Sequence, residues 1–259
     1  MDSKLDIKYR PSPNFSSRPD GGDIDMVVLH YTGMRTGEDA LERLCDKESE
    51  VSSHYLIAED GTIYQLVQDD KRAWHAGQSA WRGKDQCNNR SIGIEIVNPG
   101  HEWGYRPFPA AQMQSVLRLC KELIRKYAIS ARNIVGHSDI APTRKQDPGE
   151  LFPWEWLAEN GVGLWVAPDY TKDMVLLTRG DEGENVELIQ KALAYYGYSI
   201  ECSGKYDLDT ALIVTTFKRH FCPERVNDKW DGTAAKSLLR LIKMTQEIVG
   251  LETPVEFRS

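Results

Sequence analysis

The chain has 259 residues, 41% of them hydrophobic and 27% charged, and a net charge of −7. That length holds one large domain or two modest ones, and the composition is that of an ordinary soluble globular protein. The acidic balance argues against general nucleic-acid binding, no apolar run reaches the length of a membrane span, and no signal peptide is visible after Met1. Five cysteines, an odd number with no CxxC pair, fit free thiols in a reducing compartment better than a disulfide framework.

Residues 9–24, rich in Pro, Ser, Asp and Gly, are expected to be irregular. Residues 25–30, DMVVLH, form an apolar run ending in a polar group, which predicts a buried strand delivering His30 into a site. Thr36 is placed to cap a helix over 37–45, with Asp39 at its third position and Ala40, Leu41, Leu44 and Cys45 on its apolar face. Residues 54–58 and 62–67 predict two strands joined at Asp60-Gly61, a strong hairpin signal. A loop over 68–90, rich in Trp, Gly, Asn, Arg and Lys, comes next. Residues 91–97, SIGIEIV, alternate as a strand, with Ile92, Ile94 and Ile96 on one face and Gly93, Glu95 and Val97 on the other. The clearest helix is 110–127, where Met113, Val116, Leu117, Cys120, Leu123, Ile124 and Tyr127 recur at helical spacing. Residues 133–137 predict a short strand ending in His137. Strands and helices interspersed in this way predict an α/β domain with a central sheet.

Residues 161–172 contain Gly, Pro and Asp without a clear period and read as a linker. Beyond them the pattern turns helical, with stripes at Val186, Ile189, Leu193 and Tyr196, at Val214, Phe217 and Phe221, and at Ala235, Leu238, Leu239 and Ile242. Three short helices predict a small bundle. The expected partition is a domain over 1–165, a linker over 166–174, a helical domain over 175–250 and a loose tail over 251–259.

Several side chains are candidates for chemistry. Pro148 biases Asp147 toward an extended backbone, and in an extended chain the Lys145 ammonium and Asp147 carboxylate face the same way. His30, His137 and Asp147 meet the requirement of a zinc enzyme for three N/O ligands and a free fourth position. Taken singly, a histidine at a strand end is commonly structural. Glu95 among three isoleucines either sits on an open sheet face or faces a pocket, where it could act as a general base. In the 68–90 loop, Trp74 and Trp81 offer flat apolar faces and Arg82, Lys84 and Arg90 offer charge for carboxylates. Asn88 could bond peptide amides, and His75 is a loop-shaping or substrate-side residue. The same side chains also fit a packed loop with solvated charges. His54 reads as a hydrogen-bonded structural histidine; Asp139 could orient His137 but reads first as a turn or helix-cap residue; His101 and His220 receive no role.

The ordered set SPNFSSRP, VVLHYT, SSHYLIAEDGTIYQLV, WHAG, NNRSIGIEIVN, VGHSDIAP and RKQDPGELFPW resembles the type 2 zinc-dependent N-acetylmuramoyl-L-alanine amidases, which share a fold with peptidoglycan recognition proteins. The resemblance runs from Ser12 to Trp165 and implies a central mixed sheet flanked by helices. It implies one Zn²⁺ per catalytic domain, held by His30, His137 and Asp147, with Glu95 as the catalytic glutamate and Lys145 as the transition-state lysine. The bond implied is the amide between the lactyl group of N-acetylmuramic acid and L-alanine, in peptidoglycan or muropeptides. A non-catalytic recognition protein is the alternative, disfavoured because binding alone needs no activated water. Residues 179–221 also look like a three-helix peptidoglycan-binding domain, departing from it at Lys218, where glutamine is usual. That layout resembles bacterial envelope enzymes, with a cytoplasmic location as the alternative, and oligomeric state is not legible.

Overall fold

The computed structural model describes residues 5–19 and 22–249, so the expected tail over 251–259 lies outside the described residues. Its centre is a six-stranded sheet in the order Ile7–Tyr9, Ile63–Gln65, Tyr55–Ile57, Ser91–Ile96, Met26–Tyr31, Ile134–Gly136. Only the Tyr55–Ile57 and Ile63–Gln65 pair is antiparallel; its turn passes through Gly61 at φ +87°, a conformation glycine adopts without strain. The sheet is therefore mixed, and helices flank it, as the resemblance implies.

Period-two alternation explains how the sheet is covered. Val27 and Leu29 share a core with Ile92, Ile94 and Ile96 beneath the helix Ala110–Tyr127, whose Met113, Val116, Leu117, Cys120 and Leu123 are buried. Met26 and Val28 face the other way, into a core shared with Leu193, Tyr196, Phe217 and Phe221 of the C-terminal helices. Leu56 and Val97, also on that side, are covered by helix Gly37–Cys45 through Ala40, Leu41 and Leu44. The expected cap of this helix is present: Thr36 Oγ1 accepts from Asp39 N at 3.1 Å. Parallel register sets His30 against Glu95 on adjacent strands, so both side chains emerge on this second face, between the two covers.

Several expectations need correction. The 9–24 stretch contains a strand, Phe15–Ser17, paired antiparallel with Lys71–Ala73 inside the predicted loop, which also holds a hairpin of Ala80–Trp81 with Lys84–Asp85. Apolar alternation is absent from these polar segments, so no periodic signal marked them. The strand before His137 ends at Gly136, and His137 opens a helical turn, His137–Ile140, because Asp139 Oδ2 accepts from Gly136 N at 2.8 Å and caps it.

The C-terminal helices Glu184–Tyr196, Leu208–Phe221 and Gly232–Val249 fall where their stripes predicted. The connection before them is not a free tether: Leu164 and Val166 are buried, and a single apolar core runs from Met26, Val135 and Ile140 into the helices. Trp81 lies in that seam, edge-on to Tyr196 and Tyr198, with Gly197 flat against its ring. Among the described residues, no helix is long and apolar enough to cross a membrane.

Candidate active site

A cavity of about 400 Å³ opens at the C-terminal ends of the His30 and Glu95 strands, lined among others by His30, Glu95, His137, Lys145, Asp147 and Trp74. His30 comes from the strand end, His137 from the capped turn, and Lys145 and Asp147 from the segment that follows it. That segment closes on itself, since Ser138 N donates to Asp147 O at 2.9 Å.

Three buried atoms converge. His30 Nδ1 lies 3.0 Å from His137 Nδ1 and 3.1 Å from Asp147 Oδ2, and His137 Nδ1 lies 3.0 Å from the same oxygen. The surrounding bonds say which atoms carry protons. Ser91 Oγ donates to Cys87 O at 2.7 Å, so His75 must donate from Nε2 to Ser91 Oγ at 3.2 Å. His75 Nδ1 is then bare and accepts from His30 Nε2 at 3.0 Å, which leaves His30 Nδ1 as a lone pair. His137 Nε2 donates to Ala76 O at 3.2 Å, the tautomer that leaves its Nδ1 bare as well. Burial first, and the neighbouring His137 second, push His30 down to about 4, so it is neutral near pH 7. Burial acts to raise Asp147; a proton on His137 or His30 would outweigh it and hold the carboxylate well below the usual range, so with both Nδ1 atoms bare the balancing positive charge must come from elsewhere.

Two imidazole lone pairs and a carboxylate oxygen thus meet with no proton among them. Mutual repulsion at that spacing calls for a cation. The separations are close to the ~3.3 Å expected between ligands at about 2.0–2.1 Å from a tetrahedral zinc ion. The donor set fits a divalent metal.

Glu95 keeps slight solvent contact, but its Oε2 is buried and has no hydrogen-bond partner. Burial drives this carboxyl well above its ordinary range, the Asp147 charge adds to that, and Lys145 opposes it. The Lys145 ammonium, exposed at the cavity wall, forms no ion pair among the described residues.

The loop residues divide. Trp74 lines the cavity, with Nε1 donating to Ser16 Oγ at 3.4 Å. His75 reaches the cavity but lies behind His30, its ring flat on Gly93, so it orients the His30 ring. Trp81, Arg82 and Asn88 are absent from the cavity wall. Trp81 is buried in the seam with its Nε1 donating to Arg132 O at 3.2 Å, and Arg82 Nη1 donates to Asn133 Oδ1 at 3.1 Å. Asn88 Oδ1 accepts from His75 N and Ala76 N at 3.1 and 2.8 Å, fixing the backbone around His75. Arg90 forms a two-pronged pair with Asp25 at 2.6 Å. A hydrophobic or charged residue in a loop reads alike whether it packs inward or meets substrate, which is why the sequence alone does not separate Trp74 from the others. His54 is structural as expected: Gly93 N donates to its Nδ1 at 3.0 Å, and its Nε2 donates to Lys71 O at 3.0 Å.

Sequence reasoning missed one wall of the cavity. His101 donates from Nε2 to Glu150 at 3.1 Å, accepts at Nδ1 from Tyr31 OH at 3.0 Å, and stacks on Tyr105 at 4.2 Å. The one available signal was a histidine in a Gly-rich turn directly after the Glu95 strand.

A mixed sheet that brings two histidines, a carboxylate and a glutamate without a hydrogen-bond partner into one cavity has the layout of a hydrolase with room for a divalent metal. The N-acetylmuramoyl-L-alanine amidase family matches residues 20–150, half of the chain. The chain is 38% identical to the Escherichia coli amidase AmiD over 227 residues, covering 81% of this chain and 79% of that protein. It is 36% identical to the Enterobacter cloacae 1,6-anhydro-N-acetylmuramyl-L-alanine amidase AmpD, covering 58% of this chain and 87% of that one. The solved complex of E. coli AmiD with anhydro-N-acetylmuramic acid-L-Ala-D-γ-Glu-L-Lys superposes with a TM-score of 0.72 at 32% identity, covering 89% of this chain and 98% of that chain. This chain belongs to the N-acetylmuramoyl-L-alanine amidases and is an amide hydrolase of that family.

Proposed function

We propose that the enzyme uses zinc to cut the amide between the muramoyl lactyl group and L-alanine in 1,6-anhydro-muropeptides. The observation that carries this reading is the convergence of three proton-free acceptor atoms, His30 Nδ1, His137 Nδ1 and Asp147 Oδ2, beside a buried carboxylate oxygen without a partner. Both relatives above support the substrate: one carries an anhydromuramoyl peptide in its solved complex, and the other is named for that substrate.

Zinc held by the three ligands would supply Lewis acidity, acidifying water to a pKa of about 7 and polarising the scissile carbonyl. Glu95 takes the proton from the attacking water and returns it to the departing alanine nitrogen. Lys145, unpaired at the wall, donates to the oxygen on which negative charge grows. His75 and the Ala76 carbonyl fix the tautomers of the two histidines, so both present a lone pair without rearrangement. Trp74 offers an aromatic wall for the sugar or the stem peptide.

The test is zinc content together with release of free stem peptide from anhydro-muropeptides, with intact sacculi assayed in parallel. Activity that survives thorough chelation would remove the metal from the mechanism. Preference for sacculi over fragments would overturn the substrate assignment. The two-part layout, matched by AmiD across 79% of its length, supports an envelope location over a cytoplasmic one, and fractionation of the native protein decides it. For residues 175–249 we propose glycan binding in addition to packing; co-sedimentation of the intact Glu95→Gln protein with insoluble peptidoglycan, with and without competing soluble glycan, tests that.

A further inference from the structure

We propose that helix Leu208–Phe221 is a clamp on the catalytic segment, and that Tyr198, Arg219 and His220 are positioning residues for the metal ligands. This rests on the zinc reading above. Segment 137–150 carries His137, Lys145 and Asp147, and a carboxylate stands near each of its ends: Asp139 and Glu150. Consecutive residues of the C-terminal helix hold both. His220 Nδ1 donates to Asp139 Oδ2 at 2.8 Å, and Arg219 Nε lies 3.5 Å from Glu150 Oε2, an ion pair without a hydrogen bond. Tyr198 OH adds a bond to Asp139 Oδ1 at 2.8 Å.

Helix capping alone does not account for this arrangement. Capping uses one contact, from Gly136 N to Asp139 Oδ2, yet Asp139 is only 1% exposed and takes two more donors, 59 and 81 residues distant in sequence. A buried carboxylate without those donors would be costly, so its position is dictated by where they stand. The donors are themselves immobilised: the His220 ring is stacked on Trp154 at 3.8 Å and on Phe221 at 3.9 Å. At the other end, Glu150 accepts from His101, which in turn accepts from Tyr31, the neighbour of His30. Tyr105 OH donates to Pro148 O at 2.7 Å and accepts from Leu151 N at 2.9 Å, closing the same end. The C-terminal helix therefore contacts both ends of the segment that carries His137 and Asp147. Apolar packing would keep the two halves together; these directional bonds also set where His137 and Asp147 stand.

The test compares zinc affinity, by competition with a chromophoric chelator, in the full-length wild type, Tyr198→Phe, His220→Phe and the double variant. Both substitutions keep the ring and remove the bond to Asp139. Loss of partners behind a ligand commonly costs 10–100-fold, so zinc affinity should fall by about that factor in the double variant. The kcat should fall with it while KM on zinc-saturated enzyme stays near wild type. His220→Asn, which offers an amide donor close to the place of Nδ1, should recover part of the affinity. Gln190→Leu serves as control: it removes bonds from helix Glu184–Tyr196 to Lys205 O and Gly204 N, away from Asp139, and should lower Tm while leaving zinc affinity unchanged. Clamp variants that bind zinc as tightly as wild type, or lose affinity only as far as Gln190→Leu does, overturn the proposal. A wild-type protein that binds no zinc overturns the metal reading, and the clamp with it.

Discussion

Glu95 must be ionised to accept a proton, yet its burial favours the neutral acid. A raised carboxyl holds its proton to higher pH, so the base form is lost as pH falls through that raised value. The acid limb of the kcat/KM profile should therefore report Glu95, and Lys145→Met should move that limb to higher pH by removing the charge that opposes the shift. The same variant should lose about 10²–10³ in kcat with zinc content unchanged; an unaltered limb would separate Lys145 from Glu95. Glu95→Gln should retain zinc and lose about 10²–10⁴ in turnover, read by single-turnover assay of metal-loaded protein. Gly93 is a steric requirement of the site, because a Cβ there would lie 2.4 Å from His75 Cγ. Gly93→Ala should cost about 1–3 kcal/mol and disturb the His30 orientation, seen as a lower urea midpoint together with weaker zinc binding. His30, Glu95 and His137 were legible because each breaks an apolar pattern at a strand end. The tautomer relay was not: it depends on the Ala76 and Cys87 carbonyls and on Ser91, groups that carry no distinctive sequence signal.

Helix Leu208–Phe221 was found by its apolar stripe, which says nothing of where its polar residues point. Lys218, the departure from the usual glutamine, is buried, and its ammonium donates to Asp231 Oδ2 at 2.6 Å and to Asn227 Oδ1 at 2.8 Å. A lysine beside a stripe reads as solvated; its partners lie beyond the helix, where periodicity says nothing. Asp231→Asn would leave that buried charge without its counter-ion and should cost about 3–5 kcal/mol, measured by chemical denaturation. Pairing it with Lys218→Gln should restore much of the loss. Among the strands, His54 bridges the Gly93 backbone to Lys71, and burial, assisted by the Arg18 charge, pushes it down to about 4. Its unfolded value is near 6.5, so between the two values the unfolded chain binds more protons and stability falls as pH falls. The contribution is on the order of 3 kcal/mol, fully present above about pH 6.5 and gone by about pH 4. Tm measured from pH 7.5 to 4.5 should fall less steeply in His54→Gln than in wild type.

At the scale of the molecule, the partition near residue 165 is a change of sequence pattern, not a break in packing. The alternation that places Met26 and Val28 on the second sheet face also commits them to the C-terminal helices. Sequence periodicity told which face was apolar but not what would cover it, so a tethered module and a fused one looked alike. A protein ending at residue 165 would expose Met26, Val28, Trp81, Val135 and Ile140 together. It should aggregate or melt without cooperativity, and a monodisperse, sharply melting fragment would show that the seam is dispensable.

The Trp81 indole and Gly197 meet so closely that a Cβ on the glycine would stand 2.8 Å from the ring. Neither position can change freely on its own, although one belongs to the hairpin and the other to the turn after helix Glu184–Tyr196. Relatives that keep both halves should therefore vary at these two places in concert, a smaller side chain at 81 accompanying any substitution at 197, and a chimera that imports one half from elsewhere should be repaired first at this pair.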